Sequence, residues 1–104
     1  MIPRAIQRPA ARRDFIRHYV YLAGHASLDV AKRFRDAVEH TYNNLARMPG
    51  MGVPHKLRSG RHAGVRLWRL RDFNNYWIAY HPRADGVAIE RLFHAKQDYT
   101  RVMQ

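Results

Sequence analysis

The sequence predicts an α+β fold in the order β-α-α-β-β-β: a small, mostly antiparallel sheet with a helical hairpin packed on one face. Three observations predict it. Two consecutive segments, 9–24 and 27–48, carry apolar residues at spacings of three and four. Three later segments, 65–70, 75–81 and 87–94, are apolar or aromatic runs of strand length bounded by turn residues. A short apolar stretch at 2–7 precedes them all. With 104 residues, the chain is expected to form one domain over 1–104.

The elements are justified in chain order. IPRAIQ (2–7) reads as a strand, and Pro3 places it at an edge or a strand start. Pro9 suits the first turn of a helix, where its missing N–H does no harm. Ala11, Phe15, Tyr19 and Leu22 share one face, Arg12, Arg13 and Arg17 lie off it, and Gly24 marks the end. Ser27 is an N-cap for a second helix and Asp29 favours its positive first turn. Its stripe is Val30, Phe34, Ala37, Val38, Thr41, Tyr42, Leu45 and Met48; Arg47 suits the C-terminal end, and Pro49-Gly50 stops the helix.

The segment 49–64 has no periodicity and reads as a long loop carrying Gly, Pro, basic residues and two histidines. VRLWRL (65–70) is a strand. The RDFNN stretch is a tight connection, because Asn74-Asn75 tolerates left-handed backbone and makes side-chain turns. NYWIAYH (75–81) is continuous enough to be a central strand covered on both faces. Alternation puts Tyr76, Ile78 and Tyr80 on one face, and Trp77, Ala79 and His81 on the other. Asp85-Gly86 signals a hairpin turn into VAIERLFH (87–94), and AKQDYTRVMQ closes as a helical turn.

Composition narrows the function classes. The formal net charge is +11, with nine Lys/Arg and four Asp/Glu in the first 52 residues and ten and four in the last 52. The charge is spread along the chain and is mostly arginine, so an acidic partner is expected, nucleic acid or protein. The chain has no cysteine, which removes disulfides and thiolate metal sites and fits a reducing compartment. No apolar run approaches a membrane span, and MIPRAIQRPAARRDF lacks the apolar centre of a signal peptide, so a cytoplasmic location is expected.

The candidate chemistry is sparse. His18, His25, His40, His55, His62, His81 and His94 form no HxxxH or HExxH pair, so neither a metal nor a cofactor is expected. His55, Lys56, Arg58, Arg61, His62, Arg66, His81 and His94 are the types a general acid–base ribonuclease site would use, or else solvated loop and edge residues. Trp68 between Arg66 and Arg69, and Tyr76-Trp77 after Arg71, have the pattern of a stacking platform or of a sheet core. Asp98 stands near Arg91, Lys96 and Arg101 as a local ion-pair partner.

GVRLWRLRDFNNYWIAYHPRADGVAIERLFHAKQD resembles the C-terminal half of ParE-type toxins of the RelE/ParE superfamily. The resemblance is carried by Gly64-Val65-Arg66, Asn75-Tyr76, Tyr80-His81-Pro82, Asp85-Gly86, and the series Arg91, His94 and Asp98. In the first half, ARRDFIRHYVYLA and AKRFRDAVEHTYNNLARMPGMG resemble the family's helical hairpin and its "L-x-x-x-P-x-x-G" end at Leu45, Pro49 and Gly52.

The resemblance implies the toxin of a type II toxin–antitoxin module. It also implies a cognate acidic antitoxin of the ParD kind, with a ribbon-helix-helix dimer that carries most of the DNA contact. ParE-like members poison DNA gyrase by binding; RelE-like members cut mRNA on the ribosome. Arg66, Lys96 and Tyr99 would serve the ribonuclease reading. The position of its second Arg falls on Gln97, however, and its C-terminal Tyr/His position falls near Met103, whose thioether is neither acid nor base. The expectation is therefore a gyrase-binding toxin. An inactive remnant that only binds its antitoxin is a further alternative. The residues expected to contact antitoxin or target are Arg66, Trp68, Arg69, Arg71, Arg91, His94, Lys96 and Arg101. His94 is expected to order the strand end with Asp98.

Overall fold

A computed structural model describes residues 2–55 and 63–103 of the chain. Lys56, Arg58, Arg61 and His62, the basic core of the 49–64 loop, lie outside the described residues. The order is β1 (Arg4–Gln7), α1 (Pro9–His25), α2 (Leu28–Arg47), β2 (Val53–Pro54), β3 (Arg66–Arg69), β4 (Tyr76–Arg83), β5 (Gly86–His94) and α3 (Tyr99–Val102). The described strands form one sheet in the order β1-β5-β4-β3-β2. β1 runs parallel to β5, and the other pairings are antiparallel. The expected class and element order hold; the addition is β2, two residues long and too short to leave a periodic trace.

The helices form for the reasons the sequence gives, with three differences. Ser27 accepts a hydrogen bond from the Val30 amide at 3.0 Å and caps α2. α1 runs past Gly24 to His25. Met48, expected on the buried stripe of α2, is 62% exposed, because the helix ends at Arg47 and the chain turns away. Ala31 and Ala46 are buried instead.

Both faces of β4 are covered, as its unbroken apolar run requires. Tyr76, Ile78 and Tyr80 pack with Phe34, Val38, Tyr42 and Leu45 of α2 and with Leu92 of β5 in the main core. Ala79 and Trp77 face the opposite way, into a smaller cluster with Val65, Phe93, Val102 and Met103 under α3. A register shift between Ala79 and Tyr80 leaves Glu90 as the extra residue of β5.

Two turn assignments need correction. The β4–β5 turn is Ala84-Asp85, and Gly86 is the first residue of β5, paired with Arg83. Gly86 has φ +140°, and a Cβ there would sit 1.9 Å from the Arg4 carbonyl oxygen. Glycine is needed for the close approach of β1 more than for the turn. In the RDFNN connection, left-handed backbone falls on Asp72 (φ 66°) and not on the asparagines.

α1 does more than pack. β1 pairs with β5 only as far as Ile89, where the Arg8 amide donates to the Ile89 carbonyl at 2.9 Å before the chain enters α1. Beyond that point β5 would have an open edge. Asp14 and His18, one turn apart on α1, take over: Asp14 Oδ2 accepts from the Leu92 amide at 3.0 Å, and His18 Nε2 lies 3.0 Å from the Leu92 carbonyl. That carbonyl can only accept, so Nε2 carries the proton. Burial lowers the His18 pKa, which fits a neutral ring.

Candidate binding surface

The basic residues expected to meet a partner are placed by the strands on two different faces. On β3, Arg66 and Trp68 point to the helical side, and Leu67 and Arg69 to the α3 side. Arg66 donates through one guanidinium nitrogen to the Gly52 carbonyl at 2.6 Å and to the Gly50 carbonyl at 3.3 Å. Tyr80 fixes the same turn from below: its hydroxyl accepts from the Gly52 amide at 2.8 Å and donates to the Pro49 carbonyl at 2.7 Å. A Cβ on Gly52 would lie 2.5 Å from that hydroxyl. The Leu45, Pro49, Gly52 spacing thus has a local reason. Leu45 anchors the helix end in the core, Pro49 offers a carbonyl, and Gly52 leaves room for the tyrosine.

Trp68 is half-buried against the main core, so it is largely scaffold. Arg69 is exposed and lies over the Trp77 ring, 4.7 Å from its centroid. Arg71 is exposed and donates to His40 Nε2 at 3.1 Å, tying the β3–β4 turn to α2. Arg101 and Lys96 are exposed.

Arg91 is committed inside the protein. Its Nε donates to Asp14 Oδ2 at 2.7 Å and a terminal nitrogen to Asp14 Oδ1 at 2.9 Å. The other terminal nitrogen donates to the Val102 carbonyl. Only 21% of the Arg91 side chain and 2% of that of Asp14 are exposed. Hydrogen bonding to Asp14 raises the Arg91 pKa. One side chain thereby joins α1, β5 and α3.

After β5 the chain turns through 94–97. The Lys96 amide donates to His94 Nδ1 at 3.0 Å, and the His94 amide donates to Gln97 Oε1 at 2.8 Å. Asp98 does not meet His94 as expected. It caps α3 by accepting from the Thr100 amide at 3.0 Å, and it forms no ion pair with Arg91, Lys96 or Arg101 among the described residues. The His94 ring instead meets Tyr76 edge-on at 4.9 Å.

Tyr99 packs against His55 at 4.7 Å and Phe93 at 5.4 Å. Among the described residues its buried hydroxyl has no hydrogen-bond partner, and burial raises its pKa. Met103 is buried, 6% exposed. In register, Arg66 lies opposite Tyr80 and His94 opposite Tyr76. The ends of the sheet bearing Arg66 and Lys96 are therefore about 13 Å apart along β4, at roughly 3.3 Å per residue. Among the described residues, no three His, Asp or Glu side chains are grouped to hold a metal ion, and no helix is long and apolar enough to cross a membrane.

The frame that carries these residues is a parallel β1, a helical hairpin and an antiparallel meander closed by a short helix. A family model described as "ParE toxin of type II toxin-antitoxin system, parDE" matches residues 5–99, and the chain belongs to that family. A solved chain described as "Chromosomal ParDE TA system from P. aeruginosa" shares the fold, with a TM-score of 0.71 over 89% of this chain and 96% of that one, at 13% identity. No curated protein matches the chain in sequence. As a toxin of this family, the chain has a cognate antitoxin as its partner.

Asp14 and His18 are the structural residues that sequence reasoning passed over. The available signal was their i, i+4 spacing inside the apolar stripe of α1, where two polar residues facing the core must find partners.

Proposed function

We propose that this chain acts in the cytoplasm by binding DNA gyrase and inhibiting it, and that an acidic ParD-like antitoxin with a ribbon-helix-helix domain neutralises it. The observation that carries this reading is the chemistry at the C-terminal end. Near where the ribonuclease branch would place a Tyr or His, this chain has Met103, a buried thioether that cannot move a proton. The remaining candidates support the same reading. Arg66 is turned to the carbonyls of Gly50 and Gly52, and the Tyr99 hydroxyl is buried with its pKa raised. A binding toxin needs surface, charge and shape, and the exposed Arg69, Arg71, Lys96 and Arg101 supply charge for an acidic partner. The 49–52 turn, clamped by Arg66 and Tyr80, then presents the start of the basic loop in a fixed position.

Induced expression without the antitoxin separates the two mechanisms. Gyrase poisoning gives filamentous cells and DNA-damage signalling while translation continues. Rapid translation arrest with new mRNA ends at ribosomal A sites would instead identify a ribonuclease and overturn the proposal.

A further inference from the structure

At the end of β5, α1 and the 94–97 turn border an open pocket of about 330 Å³, whose lining shares Lys96 with the cations offered to the acidic partner and adds Arg17, His18, Tyr21 and Tyr76, which that reading does not use. That volume is at the lower end of the range for small-molecule sites. Two of its walls are aromatic. Tyr76 is the buried floor, held edge-on between His18 at 5.1 Å and His94 at 4.9 Å. Tyr21 is the open wall, 55% exposed, and its ring stacks on His25 at 4.1 Å and 17°, which fixes its orientation.

The polar rim offers donors. Arg17 is 60% exposed and has one nitrogen tethered to Asp14 Oδ1 at 2.9 Å, which aims the guanidinium without consuming it. Lys96 is exposed. His94 accepts the Lys96 amide on Nδ1, so its neutral ring carries hydrogen on Nε2. Gln97 accepts the His94 amide on its oxygen, so its NH₂ end is left to donate. None of the lining residues is a carboxylate. The nearest buried one, Asp14, is already bonded to Arg91, Arg17 and the Leu92 amide.

A fixed aromatic wall beside two cations and two neutral donors is the arrangement that recognises a flat ring carrying an anionic group. We propose that this pocket binds a nucleoside monophosphate, with the phosphate at Arg17 and Lys96 and the base against Tyr21. The site does not depend on which cellular target the toxin has.

The test is a titration of the purified chain with AMP, followed by amide chemical shifts, with inorganic phosphate and adenosine in parallel. The expected result is saturable AMP binding, with shifts concentrated at 17–21, 76 and 94–97, and weaker binding of phosphate and adenosine. Arg17→Ala and Lys96→Ala should each weaken AMP binding roughly tenfold or more. Tyr21→Ala should weaken it by about fivefold or more. Lys32→Ala, which removes an equal charge from the exposed face of α2, should leave it unchanged. The proposal is overturned if phosphate binds as well as AMP, if Lys32→Ala weakens binding as much as Arg17→Ala, or if millimolar AMP gives no saturable shift.

Discussion

Asp14→Asn removes one charge and almost no volume, and it tests the junction on which α1, β5 and α3 converge. In the native chain, Asp14 takes two hydrogen bonds from Arg91, one from Arg17 and one from the Leu92 amide. An asparagine can keep the Leu92 bond through its oxygen. It cannot offer two acceptors to the Arg91 fork, which is left cationic in a position only 21% exposed. Breaking a buried ion pair by removing one partner costs about 3–5 kcal/mol. The residual exposure of Arg91 and its bond to the Val102 carbonyl place this case near the lower end, about 3 kcal/mol. Against a total stability of roughly 5–15 kcal/mol, that is a large fraction. At about 4–8 °C per kcal/mol for a domain of this size, the melting temperature should fall by about 12–24 °C. Arg91→Met should also destabilise, and the double variant should be far less destabilised than the sum, because no orphaned charge remains. Urea unfolding of the four proteins gives the coupling energy. A cost below about 1 kcal/mol for Asp14→Asn, or additivity in the cycle, would show that Arg91 is an ordinary surface arginine.

Three further outcomes follow from the same structure. Gly52→Ala should destabilise by about 1–3 kcal/mol through overpacking against the Tyr80 hydroxyl, and Tyr80→Phe should cost a similar amount by orphaning the Gly52 amide and Pro49 carbonyl. Combining them should relieve part of the clash, so denaturant midpoints should show a double variant more stable than additivity allows. Gly86→Ala should cost more than the roughly 1–3 kcal/mol of backbone strain alone, since its Cβ would meet the Arg4 backbone; amide exchange at Arg4–Gln7 should accelerate first. For His18, burial favours the neutral ring, so its folded pKa lies below the unfolded value. Its contribution is fully present above pH ~6.5 and is lost as the pH falls from there toward the folded pKa, because the unfolded chain takes up the proton first. Unfolding midpoints between neutral pH and mild acid should therefore decline less steeply in His18→Gln, which still donates to the Leu92 carbonyl but does not titrate.

Much of this fold is legible in the sequence because it is written in local chemistry. Ser27 caps a helix through its own neighbour, three residues on, and the alternation in NYWIAYH places Tyr80 and Trp77 on opposite faces without further information. What escaped depends on residues distant in the chain. The role of Gly86 is set by Arg4, 82 positions earlier, and that of Arg91 by Asp14, 77 positions earlier. Read alone, Asp14 and His18 are polar residues on an amphipathic helix; they become structural only where β1 stops short and leaves the outer edge of β5 at Leu92 without a strand beside it. The same limit applies to the candidate site. Arginine on a strand suggests partner contact, yet Arg66 is turned to the carbonyls of Gly50 and Gly52, Arg91 to a buried carboxylate, and Arg69 to the face of Trp77. Motif order identifies the family, but what each cation faces is decided by packing that no local pattern encodes.

The central claim is inhibition by binding, and the most direct measurement is the supercoiling of relaxed plasmid by purified DNA gyrase over a range of toxin concentrations. Supercoiling should fall as toxin rises and recover when the cognate antitoxin is added in equal amount. Unaltered supercoiling at saturating toxin that is still folded and still binds its antitoxin would contradict that claim.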